Sequence, residues 1–218
     1  MSTITSKVNI NQPGKTYTLF QAIALVLAMI LLFVGIGIGL GKAFFWKSFE
    51  EVRIEQQLAY YKQLVQSKPK VPDNRVKLGY TYFLNGQYDE ALQEFQAALA
   101  IDPKYAAVHY NIALVYKEQK QYDQAIQALT KASKLAPRDF KNFYMMGVVY
   151  NLQGKYKLAA TSLKKANEEQ PGSADIIYEA GVSAEKMGDT KGAKQIYQNA
   201  LLLDPKYQEA LDALERLK

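Results

Sequence analysis

The residue types that most often carry out chemistry are scarce in this chain. Its 218 residues include one histidine, His109, and no cysteine, so disulfides, thiolate metal sites and a cysteine nucleophile are excluded. One histidine without cysteine or clustered carboxylates does not make a usual metal site or catalytic triad. We therefore expect His109 to be structural, and we expect no catalytic residue, no metal and no cofactor.

One segment has the composition of a phosphate-binding loop without its full pattern. The letters GKT at 14–16 match the end of such a loop, but Asn9 stands where its first glycine belongs, and no strand is predicted before it. The alternating glycines from Gly35 to Gly41 lie in an apolar segment instead. Neither stretch predicts a nucleotide site.

The charge of the chain is unevenly distributed. Residues 1–71 carry eight Lys and Arg against three Glu, hence +5, and residues 72–218 carry nineteen against eighteen acidic residues, hence +1. A nucleic-acid-binding domain concentrates its basic residues on its folded part. The excess here surrounds an apolar segment, so no nucleic-acid partner is expected.

An uncharged apolar segment lies near the amino terminus, after a polar tail, residues 1–18. No charged residue stands between Lys15 and Lys42. As a helix, 19–40 would be roughly 33 Å long, which matches a hydrocarbon layer of about 30 Å. The segment predicts one transmembrane helix over 19–41, with a cleaved signal peptide as the alternative.

The basic residues on the two sides of this segment nearly balance, so they determine its orientation poorly. Lys7 and Lys15 precede it, and Lys42, Lys47 and Arg53 follow it. A short basic tail before a first hydrophobic helix tends to stay inside. We therefore expect a single-pass protein of a bacterial cell membrane, with the large domain outside the cytoplasm.

Small residues recur along one side of the predicted membrane helix. Their spacing is four, seven and four, which is the helical spacing at which another helix can approach closely. The alternative is that glycine is simply common in membrane helices. The predicted helix-contact residues are Ala24, Ala28, Gly35 and Gly39.

The rest of the chain repeats itself every 34 residues. Four columns of residues keep this interval, and such periods indicate stacked supersecondary units. The first column is proline, at 103, 137, 171 and 205; two others are alanine, at 91, 125, 159 and 193 and at 98, 132, 166 and 200; the fourth is bulky, with Phe95, Leu129, Leu163 and Tyr197.

Each unit reads as two helices joined by a turn and ended by proline, which a helix cannot continue through without losing a hydrogen bond. Small residues at 79, 113, 147 and 181 would allow close helix packing. This pattern resembles the tetratricopeptide repeat (TPR). The resemblance implies an all-α, right-handed α-solenoid of four units: 72–105, 106–139, 140–173 and 174–207.

Two further segments are predicted to cover the ends of the solenoid. Residues 42–71 include a juxtamembrane helix that resembles the second half of a repeat, because Pro69 and Tyr61 continue the 34-residue interval backwards. Residues 208–218 form an amphipathic pattern. Both are expected to be cap helices.

The resemblance also implies a binding groove along the first helices of the units. Tyrosine recurs there at one repeat position, backed by aliphatic residues, with a basic first end and an acidic fourth end. Tyrosine offers wide apolar area and a hydroxyl at little entropic cost; the alternative is that these rings only fill the inner wall. The predicted groove residues are Val76, Lys77, Tyr80, Tyr110, Asn111, Leu114, Tyr144, Met145, Val148, Tyr178 and Val182.

A more specific activity of the family is not expected. Some TPR co-chaperones hold two carboxylates with five donor side chains at fixed positions. Here Asn111 and Lys141 match, whereas Val76, Tyr80 and Met145 do not. Most of the donors that charge-assisted binding needs are missing.

The leading hypothesis is a membrane-anchored adaptor or scaffold that binds an extended or helical protein segment in this groove. It is not expected to be an enzyme. One alternative is a chaperone-like assembly factor for envelope, pilus or cytochrome complexes. The other is a structural component that self-associates into a homo-oligomer through the membrane helix or the solenoid ends.

Overall fold

The computed structural model describes residues 7–8, 17–40 and 48–218, and the burial of side chains for 20–21, 23–35 and 48–218. The chain divides into two compact units, Met1–Arg53 and Ile54–Lys218. The described residues of the first unit include two short strands and a helix, whereas the second unit is entirely helical apart from its turns.

The described residues of the first unit include a pair of short strands that the sequence did not predict. Strand β1, Lys7–Val8, pairs antiparallel with β2, Tyr17–Thr18, and places Lys7 opposite Thr18. Helix α1, Leu19–Leu40, follows directly. Two-residue strands are too short to show the alternation that identifies a strand in a sequence, so 1–18 was predicted only as a polar tail.

Helix α1 occupies the interval of the predicted transmembrane helix. Ala24, Ala28 and Gly35 are exposed on it, whereas Gly39 lies outside the residues whose burial is described. Within the described ranges, none of the helices combines the length and apolarity that crossing a membrane requires. The transmembrane helix and its contact residues therefore stay predictions.

The second unit consists of four packed helix pairs with a further helix at each end. Each pair packs against the next, and the pairs coincide with the four predicted repeats. The all-helical repeat solenoid is thus confirmed. The helices are α2 Phe49–Ser67, α3 Pro72–Leu84, α4 Tyr88–Ile101, α5 Ala106–Glu118, α6 Tyr122–Leu135, α7 Phe140–Leu152, α8 Tyr156–Glu169, α9 Ala174–Lys186, α10 Thr190–Leu203 and α11 Gln208–Arg216.

Within three of the pairs, a glycine of the first helix lies directly against a large buried side chain of the second. A Cβ built on Gly147 would lie 2.4 Å from Leu163 Cγ, well inside contact distance. The large partners are fully buried, so they fix how closely the two helices approach. The pairs are Gly79 with Phe95, Gly147 with Leu163, and Gly181 with Tyr197.

The end helices bury apolar side chains against the first and last repeats. Helix α2 places Ile54 and Leu58 against Leu78 of α3. Helix α11 buries Ala210 and Ala213 in the cluster that contains Tyr197. Both ends of the repeat array are therefore covered by helices that belong to no complete pair.

The first and fourth repeats are each closed by a tyrosine from their final turn. The Tyr105 hydroxyl donates to Asp73 Oδ1 at 3.3 Å, and the Tyr207 hydroxyl donates to Asp175 Oδ1 at 2.9 Å. Each bond joins the end of a repeat to the start of its own first helix. The tyrosine of the sequence DPKY, present at both places, thus joins the two ends of its own repeat by a hydrogen bond.

The turn between the two helices of each repeat uses one residue in the left-handed conformation. Glycine fills this place in three repeats, with φ of 72° at Gly86, 73° at Gly154 and 87° at Gly188. The second repeat has Lys120 instead, with φ of 59°, and it is the one non-glycine residue with positive φ in the described part of the chain. A lysine there carries a steric penalty that glycine avoids.

Changing Lys120 to glycine should therefore stabilise the protein. We expect the free energy of unfolding to rise by about 0.5–1 kcal/mol, because relief of the left-handed strain exceeds the added entropy of the unfolded chain. The reverse change, Gly154→Lys, is the matched control and should lower it by a similar amount. Chemical denaturation measures both; a loss of stability in the Lys120→Gly variant would contradict the strain.

Candidate functional site

A cavity of about 590 Å³ opens on the side of the second unit that is lined by α3, α5, α7 and α9, here called the first-helix face. Its walls come from α2, α3, α5 and the start of α7. Six of the predicted groove residues line it: Val76, Lys77, Tyr80, Tyr110, Asn111 and Leu114. The structure thus brings the predicted residues of the first two repeats together around one space.

Seven further residues line the cavity without having been predicted as groove residues. Two of them, Gln57 and Tyr61, belong to α2, which closes one end of the cavity. Asp139, the N-cap residue of α7, and Lys141 in its first turn bring charges to the other side. The remaining three are Thr81, Leu84 and Ala107.

The apolar part of the cavity wall is aromatic and aliphatic. Tyr80 is 41% exposed, and its ring centroid lies 5.8 Å from that of Phe83. Tyr110 is half-buried, and burial raises the pKa of its hydroxyl above the ordinary range. Burial thus favours the neutral form of Tyr110, and both tyrosines present ring surface together with a hydroxyl that can form hydrogen bonds.

The polar part of the wall contains positively charged groups, a negatively charged group and an amide. Lys77 Nζ lies 2.7 Å from Asp73 Oδ2, and this hydrogen bond is the main cause of the raised pKa of Lys77. Asp139 Oδ1 accepts a bond from the Lys141 backbone N–H at 3.1 Å and so caps α7. Asn111 adds an amide that can donate and accept. The wall can thus bind an apolar side chain and the peptide groups on either side of it.

The other five predicted groove residues are not brought into this cavity. Met145 is only 8% exposed and belongs to the buried cluster around Leu129. The Tyr178 ring packs against Tyr197 and Tyr207, with centroids 5.5 and 5.4 Å apart. Tyr144 and Val182 are partly buried against clusters of their own repeats, and Val148 is partly buried against the cluster around Leu129.

The fourth repeat contributes acidic side chains to the first-helix face. Its helix α9 carries Asp175, which is exposed, and Glu179, which is half-buried. Glu179 Oε2 accepts a bond from Asn151 Nδ2 at 2.9 Å, and Ser183 Oγ donates to Asn151 Oδ1 at 2.8 Å. Burial raises the pKa of Glu179, Asn151 opposes the shift, and Asp175 adds to it.

A third acidic group on α9 is bound from the carboxyl-terminal helix. Glu185 Oε2 accepts from Arg216 Nη2 and from the Tyr197 hydroxyl, both at 2.8 Å. Burial acts to raise the pKa of Glu185, but these two hydrogen bonds prevail and lower it. Glu185 therefore has a counter-charge in Arg216, whereas no ion pair of Glu179 is seen among the residues that the structure describes.

The single histidine of the chain, His109, lies on helix α5 of the second repeat. His109 is half-buried, and burial, with a smaller effect from Lys131, lowers its pKa. In the part of the chain that the structure describes, no three His, Cys, Asp or Glu side chains could hold a metal ion. The GKT segment at 14–16 lies outside the described residues.

Three family models match the helix pairs. A model described as TPR repeat matches residues 79–120, and two described as tetratricopeptide repeat match 106–139 and 151–217. Together they span more than half of the 218 residues. No curated protein sequence matches the chain significantly.

Solved structures with the same fold share little sequence with the chain. MamA from Desulfovibrio magneticus RS-1, residues 41 to the end, is 21% identical with a TM-score of 0.64, covering 71% of this chain and 88% of that one. YrrB, described as a TPR protein with an unusual peptide-binding site, is 23% identical with a TM-score of 0.63, covering 76% and 86%.

A thermophilic TPR protein of Thermus thermophilus, TTC0263, is also 23% identical, with a TM-score of 0.62 and coverage of 78% and 91%. Similarity at this level shows the fold alone. The repeat period, the helix pairs and the three family models lead to the same result: residues 79–139 and 151–217 are tetratricopeptide repeats.

Proposed function

We propose that this protein is a membrane-anchored adaptor that binds an extended segment of a partner protein on its first-helix face, and that it is not an enzyme. The observation that carries the proposal is the 590 Å³ cavity. It combines exposed rings and aliphatic side chains with an amide and both signs of charge. Such a wall suits one apolar side chain held together with its flanking peptide groups.

Peptide binding on this face has support from the fold. TPR proteins use their repeats to bind protein partners, and YrrB is described as having a peptide-binding site. The cavity also differs from packed interior, because Tyr80 and Leu84 remain 41% and 45% exposed on its wall. Exposed large apolar groups around a concave space favour a binding site over a packing defect.

Selection from a random dodecapeptide library tests the adaptor function. The full-length chain in mild detergent serves as bait, and affinities of selected peptides are measured by fluorescence anisotropy. We expect peptides with a shared apolar position whose binding is lost when Leu114 is changed to Asp. Failure to select any peptide would contradict the proposal, and so would selected peptides that bind the Leu114→Asp variant with unchanged affinity.

The membrane anchor is the second part of the proposal, supported by the uncharged sequence of α1. A charge near the centre of a membrane helix costs about 2.5–3.5 kcal/mol. We expect the wild-type chain to stay with membranes during alkaline carbonate extraction, and the Leu27→Asp/Ile30→Arg variant to be released. Leu202→Arg, on the 81% exposed Leu202 of α10, is the control; release of the wild-type chain would contradict the anchor.

The absence of cysteine allows a clean test of the proposed orientation in a bacterial cell membrane. A cysteine introduced at the exposed Gln96 would be the sole thiol of the chain. We expect a membrane-impermeant maleimide to label it in intact cells. Labelling only after lysis would place the repeats on the cytoplasmic side.

A further inference from the structure

The first and fourth repeats differ at one charged position of the first-helix face. In the first repeat, Asp73 is neutralised by Lys77 one helical turn later, at 2.7 Å. The equivalent residues of the fourth repeat, 102 positions later, are Asp175 and Glu179. The lysine has thus been replaced by a second carboxylate, and two like charges four residues apart destabilise a helix.

The side-chain hydrogen-bond donors that the structure shows on this carboxylate pair are uncharged. Asp175 accepts from the Tyr207 hydroxyl and Glu179 from Asn151, and both donors are neutral. Among the described residues, no Lys or Arg nitrogen lies within 4.0 Å of either carboxylate. The half-buried Glu179 therefore bears a desolvation cost that no ion pair from the described part of the chain offsets.

Two tyrosines are neighbours of the carboxylate pair. Tyr207 is bonded to Asp175 directly, and Tyr144 of α7 lies close enough that Glu179 and Asp175, after burial itself, help to raise the pKa of its hydroxyl to about 12. Carboxylates beside aromatic rings are a favourable setting for an organic cation. A metal ion needs more ligands than this pair supplies, and no three-ligand group exists among the described residues.

We propose that the partner segment carries a lysine or arginine side chain that binds to Asp175 and Glu179 while an apolar side chain of the same segment occupies the cavity. The inference rests on the proposed peptide-binding function and adds the chemistry and the direction of the partner. The apolar residue lies towards α2 and the basic residue towards α11. A partner cation at Glu179 supplies the charge that Lys77 supplies in the first repeat.

Conservative neutral variants separate binding from structure at this site. Glu179→Gln keeps an oxygen for the Asn151 bond and removes only the charge, so it should raise the melting temperature by roughly 1–3 °C. The same variant should weaken a selected peptide roughly tenfold or more. Asp175→Asn should also weaken the peptide, and Glu168→Gln, which removes an exposed charge of α8, should change neither quantity.

The decisive measurement pairs each protein variant with a changed peptide. The probes are the dodecapeptides selected on the full-length chain, each also made with its Lys or Arg replaced by Gln. We expect that replacement to weaken binding roughly tenfold or more on the wild-type protein and to have little effect on Glu179→Gln, because the two changes remove the same contact.

The outcomes distinguish the inference from the function on which it rests. Selected peptides that need Leu114 but show no Lys or Arg, or that bind equally well to Glu179→Gln, would overturn the basic-residue inference and leave the adaptor function standing. A library that yields no binder would overturn the adaptor function and the inference with it. Selected peptides that share a basic and an apolar position, and whose losses of affinity on the peptide change and on Glu179→Gln are coupled, would support both.

Discussion

Replacing Gly147 by alanine should destabilise the wild-type protein and yet stabilise a variant that already carries Leu163→Ala. In the wild type the added Cβ would lie 2.4 Å from Leu163 Cγ and 2.6 Å from Cδ2. Leu163 is fully buried, so it cannot move aside freely, and overpacking of this kind costs about 1–3 kcal/mol. Once Leu163 is truncated, only the helix preference for alanine over glycine remains, about 1 kcal/mol.

Leu163→Ala alone should lower the free energy of unfolding by about 2–5 kcal/mol, through lost burial and the cavity left behind. The four proteins form a double-mutant cycle whose coupling energy isolates the contact. The second repeat supplies the control, because Ala113 there shares a buried cluster with Leu129. Ala113→Gly should lower the free energy of unfolding, and the sign of this change should be the same whether or not Leu129 is truncated. If Gly147→Ala had the same sign in both backgrounds, the close approach would not determine the helix spacing.

Changing Tyr80 and Tyr110 together to alanine should nearly abolish peptide binding. Aromatic residues that anchor a partner contribute about 1–2 kcal/mol or more each when truncated, so the pair should weaken a selected peptide roughly 30-fold to 1,000-fold. Fluorescence anisotropy with the full-length chain measures the loss. Retained affinity in the double variant would show that the cavity is not the binding site.

Tyr122→Ala is the matched control for this loss. Tyr122 and Tyr110 are both half-buried and pack against the same cluster around Leu129, but Tyr122 does not line the cavity. Both substitutions should therefore lower thermal stability by similar amounts, whereas only Tyr110→Ala should weaken the peptide. Equal effects on binding would mean that destabilisation alone explains the loss.

The repeats could be predicted from the sequence because their periodicity records their packing. A bulky residue, such as Phe95 in the first repeat, recurs every 34 positions because it must fill the corresponding space beside a small residue in each unit. Four copies allow the boundaries to be read with little error, and the helix pairs begin and end within the predicted units. The turn glycines follow from the same repetition.

The end wall of the cavity could not be predicted in the same way. Helix α2 has no complete partner helix, so no second copy in the chain reveals which of its residues face the first-helix face. Gln57 and Tyr61 lie on the cavity, although only the 34-residue interval, continued backwards through Pro69 and Tyr61, had connected this segment to the repeats. Side-chain direction across two helices is a tertiary property that spacing along one helix does not contain.

The tyrosines predicted to line the groove also differ in their surroundings from one repeat to the next. Tyr110 and Tyr178 occupy the same repeat position, but Tyr178 is covered by Tyr207, which the hydroxyl bond to Asp175 holds in place. Met145 stands at a position that is open in the first repeat, where Lys77 is exposed, and it is buried because an apolar side chain there joins the core. Equivalent positions thus differ according to what the neighbouring helix supplies.

The separation between the cavity and the Asp175–Glu179 pair is set by the third repeat, residues 140–173. Its start, at Lys141, contributes to the cavity, and its Asn151 bonds Glu179. A tandem duplication of this one block would leave both sets of contacts intact while moving them apart by one helix pair. In the proposed binding mode, the number of repeats between the two sites sets the length of the partner segment that spans them, and duplicating the third repeat would lengthen that segment without changing either site.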